Sequence, residues 1–84
     1  MKLVFSEEAW EDYQYWLKHD RKRIERINAL IKETTRIPFV GTGKPEPLKR
    51  ALACWWSRRI DGEHRFVYRV VGDELQIAQL RYHY

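Results

Sequence analysis

The 84-residue sequence is poor in the residues that cross-link or interrupt a chain, with one cysteine, three prolines and four glycines. Because Cys54 is the only cysteine, an internal disulfide is excluded, and we expect its side chain to be a small buried hydrophobe. A chain without disulfides fits a reducing cytosol, so we expect a cytoplasmic protein. No apolar run approaches the ~20 residues that a membrane helix needs. The apolar start, residues 1–5, is too short for a secretory signal.

Aromatic residues and positive charge are what the sequence has in quantity. It contains four tryptophans, five tyrosines and three phenylalanines, and its formal net charge is +4. A basic chain favours a polyanionic partner, either nucleic acid or an acidic protein, and the charge alone does not choose between them. At this length we expect one domain, residues 1–84, with a single modest core.

The spacing of apolar residues predicts two helices in the first half of the chain. Ser6 is a suitable N-cap for a helix that runs from about Glu7 to His19. Asp20 is placed to cap a second helix, and Pro38 ends that helix. Because only a residue or two connects the two helices, they form a hairpin. The second helix is expected to bury one face, formed by Ile24, Ile27, Leu30, Ile31 and Thr34.

The second half of the chain has the composition of strands. Three stretches rich in β-branched and aromatic residues are separated by the turn signals Asp61-Gly62 and Gly72-Asp73. These predicted strands are Trp55–Ile60, His64–Val71 and Leu75–Tyr82. Lys2–Phe5 predicts a short first strand that joins them. The expected fold is therefore α+β, a helical hairpin packed on one face of a small, mainly antiparallel sheet, in the order β-α-α-β-β-β.

Arginines on these strands are candidates for an anion-binding face, because an unpaired arginine is costly to bury. The candidates are Arg59, Arg65, Arg69 and Arg81. A two-residue turn at Asp61-Gly62 would place Arg59 opposite His64, whereas a three-residue turn that includes Glu63 would place Arg59 opposite Arg65. The sequence pattern leaves both registers open. Two arginines paired on one face repel each other unless an anion lies between them.

The stretch Gly43-Lys44-Pro45-Glu46-Pro47-Leu48-Lys49 joins the helical half to the strand half. Proline pushes the residue before it into an extended conformation, so Pro47 should extend Glu46 and Pro45 should extend Lys44. A glutamate between two prolines is usually a solvated residue of a connector. It becomes a candidate base only if other parts of the chain supply partners for it.

The sequence ends with Arg81-Tyr82-His83-Tyr84. A terminal His-Tyr pair is about as often frayed as functional when it is considered alone. Combined with a glutamate on a stiff connector and arginines on a sheet face, it completes a set with a base, an anion clamp, an acid and a stacking platform.

Together these pieces resemble the YoeB toxins of the RelE superfamily over the whole sequence. The stretches that carry the resemblance are Lys2-Leu3, Ser6-Glu7-Glu8, Gly43 to Lys49, Trp56-Ser57-Arg58-Arg59-Ile60, Glu63-His64-Arg65 and Arg81 to Tyr84. The resemblance implies a RelE-like fold and a ribosome-dependent endonuclease that cuts mRNA in the A site of the 70S ribosome. It also implies a homodimer and neutralisation by a YefM-type antitoxin, with operator DNA bound only through the toxin–antitoxin complex.

The residues that match the active site of this family are Glu46, Lys49, Arg59, Arg65, His83 and Tyr84. Their chemistry suits attack by the RNA 2′-hydroxyl: Glu46 as general base, His83 as general acid, and Arg65 with Arg59 stabilising the charged phosphorane. Lys49 is expected beside these arginines, and Tyr84 can stack on a base or contact the RNA backbone. No metal or other cofactor is expected, because the three histidines lack ligand spacing.

Two other classes of function remain open at this point. One is a non-catalytic toxin on the same scaffold, such as a ParE-like gyrase poison, although such a toxin has no need of a base and an acid. The other is an RNA-binding module that uses arginine and tyrosine. We further expect Glu46, Arg65 and His83 to be surface residues, whose removal leaves the fold nearly intact.

Overall fold

A computed structural model describes residues 1–83 of the chain. Two helices pack on one face of a five-stranded mixed sheet, which confirms the predicted α+β class. The strands are β1 Lys2–Phe5, β2 Glu46–Pro47, β3 Trp56–Arg59, β4 Arg65–Val71 and β5 Glu74–Gln79. The helices are α1 Glu7–His19 and α2 Arg21–Arg36, and a single 3-10 turn covers Arg50–Leu52.

Both helices begin and end where the capping residues predict. The Ser6 hydroxyl accepts the N–H of Ala9 at 3.0 Å, and Asp20 Oδ1 accepts the N–H of Arg23 at 3.1 Å. Asp20 also ends α1, because its own N–H donates to the carbonyl of Trp16 at 2.8 Å. In the described part of the chain, neither helix is long and apolar enough to cross a membrane.

The sheet has the strand order β1-β5-β4-β3-β2. β1 runs parallel to β5, with Lys2 opposite Glu74, and the other pairs are antiparallel. The prediction that the first strand joins the sheet is therefore confirmed. The short edge strand β2 is an addition to the predicted order, and it pairs Glu46 with Ser57.

The last strand ends at Gln79, earlier than predicted, so Arg81 and Tyr82 lie beyond the sheet. The reason is that side chains of helix α1 form hydrogen bonds with the backbone N–H and carbonyl of Leu80. Asp12 Oδ2 accepts the N–H of Leu80 at 3.0 Å, and Trp16 Nε1 donates to its carbonyl at 2.8 Å. These bonds replace the ladder hydrogen bonds that would have continued the strand.

The core lies between the helices and one face of the sheet. All five residues of the predicted α2 face are buried. The apolar residues buried around them include Ala9, Trp16, Ile60, Phe66, Tyr68, Leu75, Ile77 and Leu80. The expectation for Cys54 is wrong, because this residue is exposed. It has a φ of +79° in the connection between β2 and β3, outside this core.

The largest fully buried side chain in residues 1–83 is that of Arg58. It lies on the helix side of the sheet, where Nη1 donates to Glu33 Oε2 at 2.5 Å and to the carbonyl of Thr42 at 3.1 Å. Nη2 donates to the carbonyls of Ile37 and Val40 at 2.5 and 2.9 Å. One guanidinium therefore fixes the connection after α2 to both the helix and the sheet.

Glu33 is the acidic partner in this cluster and also holds Thr42, whose N–H donates to Oε2 at 2.7 Å. The Thr42 N–H, followed by the Thr42 hydroxyl and the Arg58 guanidinium, holds the pKa of Glu33 below its ordinary value. A carboxyl with a lowered pKa stabilises the fold above its unfolded pKa. That contribution is lost as the pH falls through the folded pKa.

We predict that Arg58→Met lowers the free energy of unfolding by about 3–5 kcal/mol, because it breaks a buried ion pair and strips several carbonyls of their donor. Denaturant unfolding at neutral pH measures the change. Arg59→Met is the matched control, since Arg59 is exposed on the opposite face, and it should stay within about 0.5 kcal/mol of the parent. Equal losses in the two variants would contradict this role of Arg58.

Candidate active site

The register between β3 and β4 decides how the candidate arginines are arranged. Arg59 lies directly opposite Arg65, and Ile60 and His64 close a three-residue connection. Asp61 shapes this connection, because its Oδ1 accepts the N–H groups of Glu63 and His64, each at 2.7 Å. Of the two registers left open by the sequence, the longer turn is the one adopted. Both arginines therefore lie on the sheet face away from the helices.

Glu46 lies on the same face, because it pairs with Ser57, two residues before Arg59. From strand spacing and residue rise, the Cα of Glu46 lies roughly 8 Å from that of Arg59 and about 12 Å from that of Arg65. Its predicted extended backbone is confirmed. The prediction of an extended Lys44 is wrong, because its φ is +51°. Lys44 lies in a sharp turn that follows Gly41 and Gly43, both with positive φ, and precedes β2.

Gly43 connects this turn to Arg59 of the candidate site by a backbone hydrogen bond. Its carbonyl accepts the N–H of Arg59 at 2.7 Å, and its φ is +86°. A Cβ at this position would lie 3.1 Å from both the Arg58 Cβ and the Arg59 carbonyl oxygen. The position therefore requires glycine, and its bond to Arg59 ties the chain to β3 three residues before Glu46.

Lys49 accompanies Glu46 at the edge of the sheet. Both are exposed and line a shallow cavity of about 330 Å³ together with Pro47, Leu48 and Leu52. Lys49 and the candidate base therefore border the same cavity.

Arg65 is not the surface residue that the sequence led us to expect. Arg65 is 8% exposed, and its Nη1 donates to the carbonyls of Asp61 and His64 at 2.8 and 3.2 Å. The three-residue turn folds back toward β4 and provides these acceptors. The guanidinium is therefore held rigidly, which suits a fixed charge but makes Arg65 part of the structure as well.

His83 is exposed and follows directly on Tyr82, whose carbonyl accepts the N–H of Arg65 at 3.0 Å. This bond brings the backbone of Tyr82, directly before His83, beside Arg65. Tyr84, the predicted stacking residue, lies outside the described residues.

Taken together, the strand register places Glu46, Arg59 and Arg65 on one sheet face, and exposed His83 follows Tyr82, whose carbonyl bonds to Arg65. Such a group of side chains can bind a phosphodiester and exchange protons with it. Within residues 1–83, no three His, Cys, Asp or Glu side chains come together as a metal ion would require.

Comparison with known proteins assigns the chain to a family. Residues 5–84 match the model of the YoeB-like toxin of bacterial type II toxin–antitoxin systems. The chain belongs to the YoeB-like toxin family. It is 58% identical to the Escherichia coli K12 protein "Toxin YoeB" over the full length of both chains.

Solved structures of YoeB-like toxins share the fold. A "YoeB/ParE toxin" from Agrobacterium tumefaciens is 52% identical over all of both chains, with a TM-score of 0.98. The Staphylococcus aureus toxin is 44% identical and is known both as a YoeB dimer and in a heterotetrameric YoeB-YefM toxin–antitoxin complex. These structures have TM-scores of 0.93 and 0.92, and each comparison covers 100% of this chain and 98% of the other.

Sequence reasoning missed the side chains that hold the end of this YoeB-like chain in place. Asp12 and Trp16 bind Leu80, as described above, and His64 Nδ1 accepts the N–H of Tyr82 at 2.7 Å. The sequence pattern predicted for His64 only a place at the start of a strand and in the motif Glu63-His64-Arg65. Its position at the start of a strand gave no signal of a contact with a residue 18 positions away.

Two carboxyl groups near the site have opposite pKa shifts. Burial pushes the pKa of Asp61 upward, but the N–H groups of His64 and Glu63 and the guanidinium of Arg23 outweigh it, so the pKa lies below its ordinary value. For Asp12, burial outweighs the Leu80 N–H, so the pKa is raised. A carboxyl with a raised pKa stabilises the fold below its unfolded pKa, and this contribution is lost as the pH rises through the folded pKa.

We therefore predict that Asp12→Asn raises the free energy of unfolding at pH 7, because asparagine keeps an acceptor for Leu80 and removes a desolvated charge. The gain over the parent should shrink as the pH falls through the pKa of Asp12. Urea unfolding between pH 3 and 7 measures it. Glu11→Gln, an exposed change on the same helix, is the control and should stay within about 0.5 kcal/mol of the parent. A difference that is independent of pH would contradict the assignment.

Proposed function

We propose that the chain is the toxin of a type II toxin–antitoxin system, a single RelE-like domain that cleaves mRNA in the ribosomal A site and so inhibits translation. The observation that carries this proposal is the shared sheet face of Glu46, Arg59 and Arg65, with His83 following the residue that bonds to Arg65. A plain RNA-binding module or a gyrase poison needs no carboxylate and imidazole beside an arginine pair.

The reaction uses the nucleophile that RNA carries. Glu46 removes the proton of the 2′-hydroxyl, whose oxygen attacks the adjacent phosphorus and forms a bond to it. The bond from phosphorus to the 5′ oxygen breaks, and His83 donates a proton to that departing oxygen. The products are a 2′,3′-cyclic phosphate and a 5′-hydroxyl. No step in this sequence draws on a cofactor.

The arginine pair stabilises the phosphorane. Two guanidinium groups opposite each other repel when the site is empty, and a doubly charged phosphorane between them removes that repulsion. Arg65 is held by the carbonyls of Asp61 and His64, so its charge needs no reorganisation during the reaction. Arg59 and Lys49 are exposed and add charge at the edge, where the RNA backbone enters. Tyr84 is proposed to stack on a base.

A YefM-type antitoxin is the proposed partner, because the S. aureus relative is found in a YoeB-YefM complex. We propose that an acidic antitoxin segment covers the region of Arg59, Arg65 and His83, and that the complex binds operator DNA. The dimer of the same relative supports a homodimer of this chain. A cytoplasmic location follows from a ribosomal substrate.

The first test is analysis of RNA ends after the protein is mixed with translating ribosomes. We expect a 2′,3′-cyclic phosphate and a 5′-hydroxyl at A-site cuts. Glu46→Gln and His83→Gln should each lower the rate by roughly 10²–10⁴-fold without changing the melting temperature, because both side chains are exposed. Arg65→Ala should lower the rate by about 10²–10³-fold and also lower the melting temperature, because Arg65 is buried.

Glu25→Gln is the matched control, since it removes an exposed carboxylate on α2 away from the site and should leave the rate unchanged. Growth arrest on expression without any RNA cuts would favour a non-catalytic toxin. Binding to RNA with neither arrest nor cuts would favour an RNA-binding module. Either result would overturn the proposal.

The second test concerns the antitoxin. Steering by opposite charges predicts that association with the antitoxin encoded beside the toxin slows as salt rises. Arg59→Gln should lower the association rate more than Arg21→Gln, which makes the same charge change at the exposed start of α2. Stopped-flow mixing at several salt concentrations compares them. Equal effects of the two variants would show that total charge matters and that the proposed region is not where the antitoxin docks.

A further inference from the structure

The segment that follows β5, Leu80–His83, is held to the body of the protein from two sides. Helix α1 binds Leu80 through Asp12 and Trp16, as described above. From the other side, Gln79 Nε2 donates to the carbonyls of Arg81 and Tyr82 at 3.0 and 3.3 Å. With the segment held on both sides, the backbone conformation of Tyr82 sets the direction in which the chain continues to His83.

Tyr82 is a non-glycine residue with a φ of +66°, a conformation that persists only where its surroundings impose it. Two hydrogen bonds to the backbone of Tyr82 impose this conformation here. The carbonyl of Tyr82 accepts the N–H of Arg65 at 3.0 Å, and its N–H donates to His64 Nδ1 at 2.7 Å. Two adjacent residues, His64 and the first residue of β4, thus bond to both backbone groups of Tyr82.

His64 is well placed to act as a fixed acceptor. Its residue is 7% exposed, and its ring lies edge-on to Trp16 with the centroids 4.8 Å apart. Nε2 lies 3.5 Å from Glu63 Oε1, so a proton on Nε2 faces a carboxylate. To accept from Tyr82, Nδ1 must carry a lone pair, and the hydrogen-bond geometry therefore assigns the proton to Nε2.

We propose that His64 is a positioning residue for His83. By accepting the N–H of Tyr82, its Nδ1 holds the left-handed turn that directs His83 toward the face of Glu46 and Arg59. The placement of the segment is a structural inference in its own right. The consequence for the reaction rests on the proposed endonuclease function.

Two substitutions separate the acceptor from the ring. His64→Asn keeps an oxygen at the same number of bonds from Cα as Nδ1 but loses most of the packing on Trp16. His64→Phe keeps a ring against Trp16 and has no acceptor. If the acceptor positions His83, the two variants should rank in opposite orders for activity and for stability.

We expect His64→Phe to lower kcat by about 10–10²-fold with KM changed little, because a small displacement of a catalytic group has effects of this size. His64→Asn should retain more of the parent kcat although its melting temperature is the lower of the two. If His64→Phe keeps the parent kcat while His64→Asn loses it, the ring only fills space and the proposal is wrong.

A second readout does not depend on catalysis. Amide exchange measured by NMR should show a protected Tyr82 N–H in the parent and in His64→Asn. In His64→Phe that protection should be lost, while the helix amides remain protected. Persistence of Tyr82 protection in His64→Phe would overturn the proposal. If the parent cleaves no RNA, the proposed function fails, and the amide measurement still decides whether His64 holds the segment.

Discussion

The buried charge of Arg58 is the constraint on which the rest of the structure depends. An arginine without solvent must have its donors satisfied, and here the acceptors come from Glu33 on α2 and from three carbonyls of the connection that follows α2. Tyr68 completes the cluster, since its hydroxyl accepts from Arg58 Nε at 3.2 Å and donates to the carbonyl of Pro38 at 2.6 Å. This cluster fixes the connection that leads from α2 toward Glu46.

Adjacent arginines on β3 have opposite roles because side chains alternate across a strand. Arg58 faces the helices and stabilises the connection, whereas Arg59 faces the other side and belongs to the candidate site. His64, which directly precedes β4, and Arg65, the first residue of β4, also have different roles, although both are buried. Residues that stabilise the fold and residues of the candidate site are therefore neighbours in the sequence.

The sequence was sufficient to predict elements whose signals are local. Ser6 and Asp20 cap their helices through nearby backbone N–H groups, and the α2 face follows from its period. What escaped prediction depends on distant contacts. Nothing near Arg65 in the sequence indicates that it is buried, and the early end of β5 is caused by Asp12 and Trp16, more than 60 residues away. The candidate site residues were identified by resemblance, and the structure adds the common face of Glu46, Arg59 and Arg65.

The parallel pairing of β1 with β5 has a consequence for how the chain is made. Lys2 must wait for Glu74 before its strand has a neighbour, and α1 must wait for Leu80 before Asp12 and Trp16 have their backbone partners. Contacts of such long sequence separation form late and slow the search for the native state. During synthesis Glu46, Arg59 and Arg65 therefore precede Leu80–His83, and α1 and the start of β4 lack these backbone partners until that segment has been made.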